Sequence, residues 1–329
     1  MSAPVRLMES VLPRESPGPP FIGAHPVVLR LLDAIRRAAT LDIPVLVQGP
    51  TGVGKELVAQ RLHAFSGRRG RLVALNVANL PTSLAESELF GVARGAFTDA
   101  NRDRGGLIEE AAEGTLFLDE AAELTPKLQS KLLRVIENGA VRRVGGSTDR
   151  QVRFRLVLST QQSAVSLVTA GRWRADFYYR VAGISLDVPS LTERASDIPL
   201  LLDHFLELIG RSPLGLEDAG VLASYPWQGN VRELRRAVER AAFLAGERPV
   251  TLENVEHALM ALQVPAQQSR VRERRSPTQS LRDLEREHIV TVLQETLGDT
   301  NAAAAILGLS RSQVYRRMHD LGIGPSAQA

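Results

Sequence analysis

Lys55 closes the run Gly49, Pro50, Thr51, Gly52, Val53, Gly54, Lys55, Glu56, which arrives directly after the apolar residues Ile43, Val45, Leu46 and Val47. A strand that empties into a glycine-rich loop and then a helix is a phosphate cradle. Glycines at 49, 52 and 54 let successive backbone N–H groups turn toward one anion, and a helix beginning near Lys55 adds the positive end of its dipole. The Lys55 ammonium then meets the β and γ phosphates of a nucleotide. The usual pattern closes on Ser or Thr, whose hydroxyl touches Mg²⁺. Glu56 stands there instead, so the metal must lean on another residue. Composition also sets this lysine apart. The chain has 40 Lys plus Arg residues, yet lysine occurs only at 55, 127 and 131. An arginine-rich chain keeps lysine where a compact point charge suits phosphate oxygens better than a planar fork.

A second constellation follows at Gly114-Thr-Leu-Phe-Leu-Asp-Glu120, an apolar run ending in two acids. In P-loop ATPases the first acid holds Mg²⁺ directly or through water, and the second polarises the attacking water as general base. Asp119 is therefore the metal candidate and Glu120 the catalytic one, both at the C-terminal edge of a strand, where open α/β sheets bind ligands. ATP and Mg²⁺ are the expected cofactors.

These residues need a sheet to hold them, and the chain supplies one. From Phe21 onward a helix-like stretch over Pro26 to Thr40 is followed by the strand into the phosphate loop, a helix from Lys55 to Phe65 and a strand from Leu72 to Val77. Buried strands are expected at Thr115 to Leu118 and Phe154 to Ser159. This alternation predicts a parallel sheet covered by helices on both faces. Beyond Leu191 the strands stop, and Asp197 to Ile209, Glu217 to Ser224, Val231 to Ala245 and Leu252 to Leu262 read as helices of a small second domain.

At 329 residues the chain suits two or three domains. Residues 1–20, with prolines at 4, 13, 17, 19 and 20 and no apolar period, read as a short mobile arm in which no separate sensory domain fits. No apolar run approaches bilayer length, and the N-terminus lacks the basic-then-apolar layout of a signal peptide, so a cytoplasmic protein with no membrane partner is expected. With no cysteine and six scattered histidines, no disulfide, thiolate site or zinc site is readable. A net charge of +3 calls for a local patch wherever nucleic acid is met.

Between the two constellations runs Glu86-Ser-Glu-Leu-Phe-Gly-Val-Ala-Arg-Gly-Ala-Phe-Thr-Asp-Ala100. It resembles the segment by which bacterial enhancer-binding activators of the sigma-54 RNA polymerase, a branch of the AAA+ ATPases, touch the sigma factor. Members carry Gly-Ala-Phe-Thr-Gly-Ala on that loop; Gly95, Ala96, Phe97, Thr98 and Ala100 match, and Asp99 replaces the second glycine. The resemblance runs from about Phe21 to Leu262 and returns at the C-terminus. It implies that Asn76 pairs with the catalytic glutamate and relays the nucleotide state. It places Thr160 and Gln161 at the first sensor, where the family usually has Thr-Asn. Trp173-Arg-Ala-Asp-Phe-Tyr-Tyr-Arg180 resembles the segment that gives arginine fingers to a neighbouring subunit, which nominates Arg174 and Arg180. Trp227-Gln-Gly-Asn-Val-Arg-Glu-Leu234 resembles the second sensor, with Arg232 facing the nucleotide and Gln228 in place of proline. Order and spacing of all these segments, rather than any single arginine, carry the likeness.

After a polar stretch at 263–280 that crowds Arg270, Arg272, Arg274 and Arg275 and reads as an exposed linker, the chain turns helical again from Leu281. Asn301-Ala-Ala-Ala-Ala-Ile-Leu307, the turn Gly308-Leu-Ser310 and a helix from Arg311 to Leu321 follow helix-turn-helix grammar. Arg311, Ser312, Gln313, Arg316 and Arg317 present donors suited to a major groove. A dimerisation hairpin is the other use of such a pair. The unit resembles the Fis-type module that closes these activators, so both roles are expected, DNA contact from the last helix and dimerisation from Leu281 to Leu297.

The expected fold is therefore α/β: an AAA+ P-loop sheet over 21–190, a helical lid over 191–262, a linker over 263–280 and a Fis-type helix-turn-helix domain over 281–329. The resemblance implies a DNA-bound ATPase ring, a hexamer as in the family, that remodels the closed complex of sigma-54 RNA polymerase holoenzyme; with no receiver or sensory domain read in the chain, control is expected from a partner protein, a ligand or oligomer level, or not at all. Two other classes stay open. Asp99 puts a charge at the client contact and fits an AAA+ motor with a different client. Glu56 and Gln161 fit a DNA-binding regulator that keeps a degenerate ATPase fold for assembly.

Overall fold

A computed structural model of the chain describes residues 20–96, 102–216, 220–260, 285–286, 289–290, 292–293, 296 and 299–322. Residues 1–19 of the arm expected over 1–20, the linker over 263–280 and the loop residues Phe97, Thr98, Asp99 and Ala100 lie outside them. The chain divides into two compact units, 1–262 and 263–329.

In the first unit, the strands β1 (Val45–Gln48), β2 (Leu72–Asn76), β3 (Thr115–Asp119), β6 (Arg155–Thr160) and β7 (Ile184–Asp187) form a sheet in the order β2-β3-β6-β1-β7. Every pairing in it is parallel. The central strands are nearly continuous apolar runs because both faces are covered. Alternate side chains go to opposite faces: Val45, Val47, Phe117 and Val157 pack with α1 (Pro26–Ala39) and α2 (Lys55–Phe65). Leu46, Leu116, Leu118, Leu156 and Leu158 pack with α3 (Thr82–Phe90), α5 (Pro126–Asn138) and α7 (Ala175–Val181) on the other side. Each fully buried Leu or Val stabilises this arrangement by about 1.5–3 kcal/mol.

Two features escape the sequence pattern. β7 is a four-residue edge strand whose Ser185 and Asp187 are exposed, so it shows no apolar run. A two-stranded antiparallel ribbon pairs β4 (Ala140–Arg142) with β5 (Asp149–Gln151); Val141 is its only buried residue, and an exposed Arg142 to Asp149 ion pair joins the strands. The short helices α4 (Leu107–Glu110) and α6 (Ala164–Thr169) complete this layer.

α1 starts at Pro26, with the His25 ring accepting from the Val27 N–H, and buries Val28, Leu31, Leu32, Ile35, Ala38 and Ala39 on one stripe. Its C-terminal carbonyls receive the buried Arg155 guanidinium, which donates to Ala39 O at 2.9 Å and Ala38 O at 2.6 Å. Burial pushes the Arg155 pKa down to about 10, still a cation at neutral pH, so a charge on β6 satisfies the end of α1.

The helices α8 (Ile198–Leu208), α9 (Asn230–Ala245) and α10 (Leu252–Met260) pack around Leu202, Trp227, Leu234, Val238, Ala241 and Val255. The helix expected over 217–224 is instead a 3₁₀ turn over Gly220–Ser224, with 217–219 outside the described residues. Gly220 at φ +47° interrupts a regular helix there. In the second unit, the helices Thr300–Leu307 and Arg311–Asp320 are joined through Gly308 at φ +65°. Ile289, Val292, Leu293 and Ala303 form their core. Of the stretch expected to dimerise, the described residues 285, 286, 289, 290, 292 and 293 are helical. No helix among the described residues is long and apolar enough to cross a membrane.

Candidate active site

The phosphate loop takes a shape only glycine tolerates. Gly49, Gly52 and Gly54 sit at φ +150°, +74° and +104°. A Cβ on Gly49 would lie 2.6 Å from Val188 O, and one on Gly52 would lie 2.1 Å from Gly229 O. Gly54 is the N-cap of α2, so the loop runs directly into the helix N-terminus. Val53 is buried, Pro50 exposed and Thr51 half-buried. Lys55, itself buried, folds back over the loop and donates to Gly49 O at 2.9 Å and Pro50 O at 3.0 Å. Burial lowers its pKa, with Glu120 and Asp119 opposing and Arg232 adding to the effect. Glu56 points out along α2, exposed, and accepts from Gln60 at 3.3 Å.

The start of α9 is stitched onto this loop. Arg232 N–H donates to Gly52 O at 3.2 Å, and Asn230 Nδ2 donates to Thr51 O at 3.0 Å. Arg232 thus stands over the loop in the first turn of a helix. Below, Arg194 lies over the Phe21 ring and donates to Val53 O at 3.2 Å, while Asp197 accepts from the Ala24 and His25 N–H groups at 2.7 and 2.9 Å. Sequence reading misses Arg194, Asp197 and Asn230 as supports, because their partners are backbone atoms far away in the chain.

The two acids end β3 and are met by side chains of the neighbouring strands. Asp119 accepts from the Ser159 hydroxyl and, at 2.9 Å, from Asn76 Nδ2. Glu120 has left the strand, with φ 54° and ψ 45°; its N–H donates to Ser159 Oγ at 3.3 Å and its carboxylate accepts from Gln161 Nε2 at 2.6 Å. Asn76, expected to pair with the glutamate and relay the nucleotide state, donates here to Asp119. The reason is register, since Asn76 lies directly opposite Asp119 in the β2–β3 pairing. Sequence alone marks Ser159 only as a strand end; a hydroxyl closing an otherwise apolar strand is the available signal. Thr160 is buried, and its hydroxyl is used on the Gln162 backbone at 3.0 and 3.1 Å while its carbonyl accepts from Gly49 N–H at 3.2 Å, so it shapes the entry to the loop.

The nominated fingers lie elsewhere on the surface of the same unit. Arg174 makes a two-point contact with Asp176 at 3.0 and 2.6 Å, and the exposed Arg180 donates to Ile136 O at 3.3 Å. Their segment is fastened to the chain just after Glu120: buried Trp173 donates to Ala121 O at 3.1 Å, and buried Gln129 bonds Leu124 O, Arg172 O and the Arg174 N–H. Gly95 (φ +80°, open space around it) and Ala96 begin the loop expected to meet the client. Its stem α3 is held through Glu86, which pairs with both remaining lysines, Lys127 at 2.8 Å and Lys131 at 2.5 Å.

In the second unit Ser310 caps the last helix in a capping box, and Gln313 spends its side chain on that box, accepting from the Ser310 N–H at 2.8 Å. Arg311 lies over the Tyr315 ring, and Arg317 pairs with Glu285. Arg311, Ser312, Gln313, Arg316 and Arg317 are all exposed on one short helix.

Residues 21–187 match the sigma-54 interaction domain. The chain belongs to the sigma-54 activator family. Residues 192–272 match an AAA+ ATPase lid domain and 280–321 the Fis family of bacterial regulatory proteins. Among similar proteins, transcriptional regulatory protein ZraR of Salmonella typhimurium is 40% identical over 308 residues, covering 91% of this chain and 68% of that one. The Nif-specific regulatory protein of Azotobacter vinelandii is 39% identical, covering 92% of this chain and 59% of that one. The crystal structure of NtrX from Brucella abortus in complex with ADP superposes with a TM-score of 0.65 at 30% identity, over 92% of this chain and 69% of that one. This sigma-54 activator thus combines an AAA+ ATPase-type domain and lid with a Fis-type helix-turn-helix, and it is a DNA-binding transcriptional activator of sigma-54 polymerase.

Proposed function

We propose that this activator hydrolyses ATP in a ring, with the hexamer as the assembly, and uses the cycle to remodel the closed complex of sigma-54 polymerase so that the promoter opens. Residues 21–190 serve as the ATPase and sigma-facing domain, 191–262 as the lid and 281–329 as the DNA-binding unit. The observation that carries this reading is the separate fixing of Asp119 and Glu120 next to a lysine folded onto its own phosphate loop. Lys55 exchanges two loop carbonyls for the β and γ phosphates. Arg232, above the loop, meets the same charge from the lid. Asp119 fits a magnesium site: two donors orient its carboxylate, which has about four acceptor positions in all. No group of three or more His, Asp or Glu side chains among the described residues could hold a metal alone, as suits Mg²⁺ carried by a nucleotide. Mg²⁺ supplies neutralisation of phosphate charge. Glu120 takes the proton from the attacking water.

Arg174 and Arg180 act on the neighbouring subunit's nucleotide, a role supported by their exposure and by their engagement away from their own loop. Inactive Arg174→Ala protein mixed with inactive Glu120→Gln protein is expected to regain part of the ATPase activity, because some interfaces then carry both intact groups. Co-assembled mixtures that stay inactive would count against action in trans.

Asp99 sits where the family loop carries glycine. Asp enters left-handed backbone more readily than most residues, which makes it a mild replacement for glycine, and Phe97 and Thr98, which match the family pattern, are the residues that keep the contact with sigma-54 in this reading. The test is promoter opening on sigma-54 polymerase with purified protein and ATP, with sigma-54 capture by rings trapped in a transition-state analogue. Both the parent and Asp99→Gly are expected to bind, the variant more tightly. If neither binds while both hydrolyse ATP, the client is a different protein.

A further inference from the structure

We propose that a cavity at the N-terminal edge of the main sheet, between the β4–β5 ribbon and the helix that carries Arg180, is a binding site for a small aromatic carboxylate whose occupancy restrains Arg180. The cavity has a volume of about 420 Å³, inside the range of roughly 300–1,000 Å³ usual for small-molecule sites. Pro44 leads into β1, Phe154 into β6 and Gly183 into β7, and parallel pairing brings these three entries side by side. The cavity is therefore at the opposite end of the strands from the phosphate loop and the two acids. The C-terminal turns of α5 and α7 close over it with Ile136, Tyr179 and Arg180. Tyr179 and Ile43 are left 80% and 38% exposed there, apolar surface that a bound aromatic plate would take out of water.

Charge selects the rest of the ligand. Three arginines, Arg153, Arg155 and Arg180, line the cavity against a single acid, Asp42, which already pairs with Arg68. Helix carbonyls answer two of them: Arg155 donates to Ala38 O and Ala39 O, and Arg180 to Ile136 O. Arg153 is exposed, and among the described residues only its carbonyl is engaged, accepting from the Glu113 N–H at 2.7 Å. The uncommitted charge is positive, so the apolar walls take a ring and Arg153 takes its carboxylate. Arg180 sets the consequence. Its bond to Ile136 O is long, 3.3 Å, and a carboxylate is a stronger acceptor for a guanidinium than a neutral carbonyl, so a bound anion draws Arg180 inward. The same cavity touches both roots of the ribbon, Gly139 before β4 and Val152 after β5. Binding is independent of any catalytic role of Arg180, whereas the effect on turnover rests on the reading of Arg180 as a finger.

The test uses the full chain with 2-naphthoate and its neutral counterpart 2-naphthamide, read by calorimetry without nucleotide and by steady-state ATP hydrolysis. One 2-naphthoate per chain is expected to bind with a Kd of about 1 mM or below, and 2-naphthamide at least about tenfold more weakly. Arg153→Ala should weaken 2-naphthoate about five- to tenfold and leave 2-naphthamide unchanged, a charge signature that loosened packing would not give. Ile136→Trp, which fills the cavity, should abolish binding of both. Saturating 2-naphthoate should lower kcat at least about threefold in the parent with the Kd of a labelled ATP unchanged, and Ile136→Trp should be insensitive to it. Absence of binding at about 10 mM, equal affinity for acid and amide, or 2-naphthoate binding that persists in Ile136→Trp would overturn the site. Binding that leaves parental turnover unchanged, beside an inactive Arg180→Ala, would overturn the restraint of Arg180. Parental turnover in Arg180→Ala would instead remove the finger reading, and the calorimetry would still decide the site.

Discussion

Replacing Glu120 with Gln is expected to leave ATP binding intact and slow hydrolysis about 10²- to 10⁴-fold, the contribution of a positioned general base. The amide keeps the shape of the side chain and removes its ability to take a proton. Lys55→Ala should instead lose nucleotide affinity. Lys55 is buried over the loop, held at 2.9 and 3.0 Å by two carbonyls that the phosphates would replace, and an alanine leaves the phosphate charge to backbone N–H groups alone. The two variants separate binding from chemistry when equilibrium titration with a labelled nucleotide is set beside single-turnover hydrolysis. Wild-type turnover in Glu120→Gln would show that another group activates the water. Unchanged affinity in Lys55→Ala would place the phosphates elsewhere.

Exchanging Arg316 and Arg317 together for Ala should weaken DNA binding and flatten its salt dependence, the slope of log K against log salt falling by about one for each phosphate that is no longer neutralised. Arg317 enters with a cost, because it pairs with Glu285 in the free protein and must give up that ion pair to reach DNA. A fall in slope near one therefore assigns the phosphate to one arginine, and a fall near two assigns phosphates to both. Gln313 is bound into the capping box, so Gln313→Ala should lower helix stability as well as affinity, whereas the arginine pair should not. DNA affinity that survives the double substitution in a salt titration would move the interaction to the arginines at 270, 272, 274 and 275.

Motif and period together made most of the fold legible from sequence. Glycine at 49, 52 and 54 is the residue type that accepts positive φ, and all three positions adopt it. The apolar runs of β1, β3 and β6 are long enough to read because both of their faces are covered. The paired acids announce themselves at the end of β3. The last helix carries its own signal too, since Ser310 and Gln313 form a cap three residues apart. These features depend on neighbours in the chain, and local chemistry suffices to specify them.

Tertiary structure decided which acid each amide bonds. Asn76 lies 43 residues from Asp119 and Gln161 lies 41 from Glu120, so parallel pairing and the left-handed turn at Glu120, rather than spacing, choose the partners. The same holds for Lys127 and Lys131 meeting at Glu86, for Arg155 closing α1, and for α9 settling onto the phosphate loop through Asn230 and Arg232. β7 was hidden for a related reason: an edge strand needs only one paired side, and its exposed positions carry polar residues that erase the apolar run. Sequence determines a residue's chemistry and its local backbone preference, but a side chain's hydrogen-bond partner depends on which strands lie side by side and in what register.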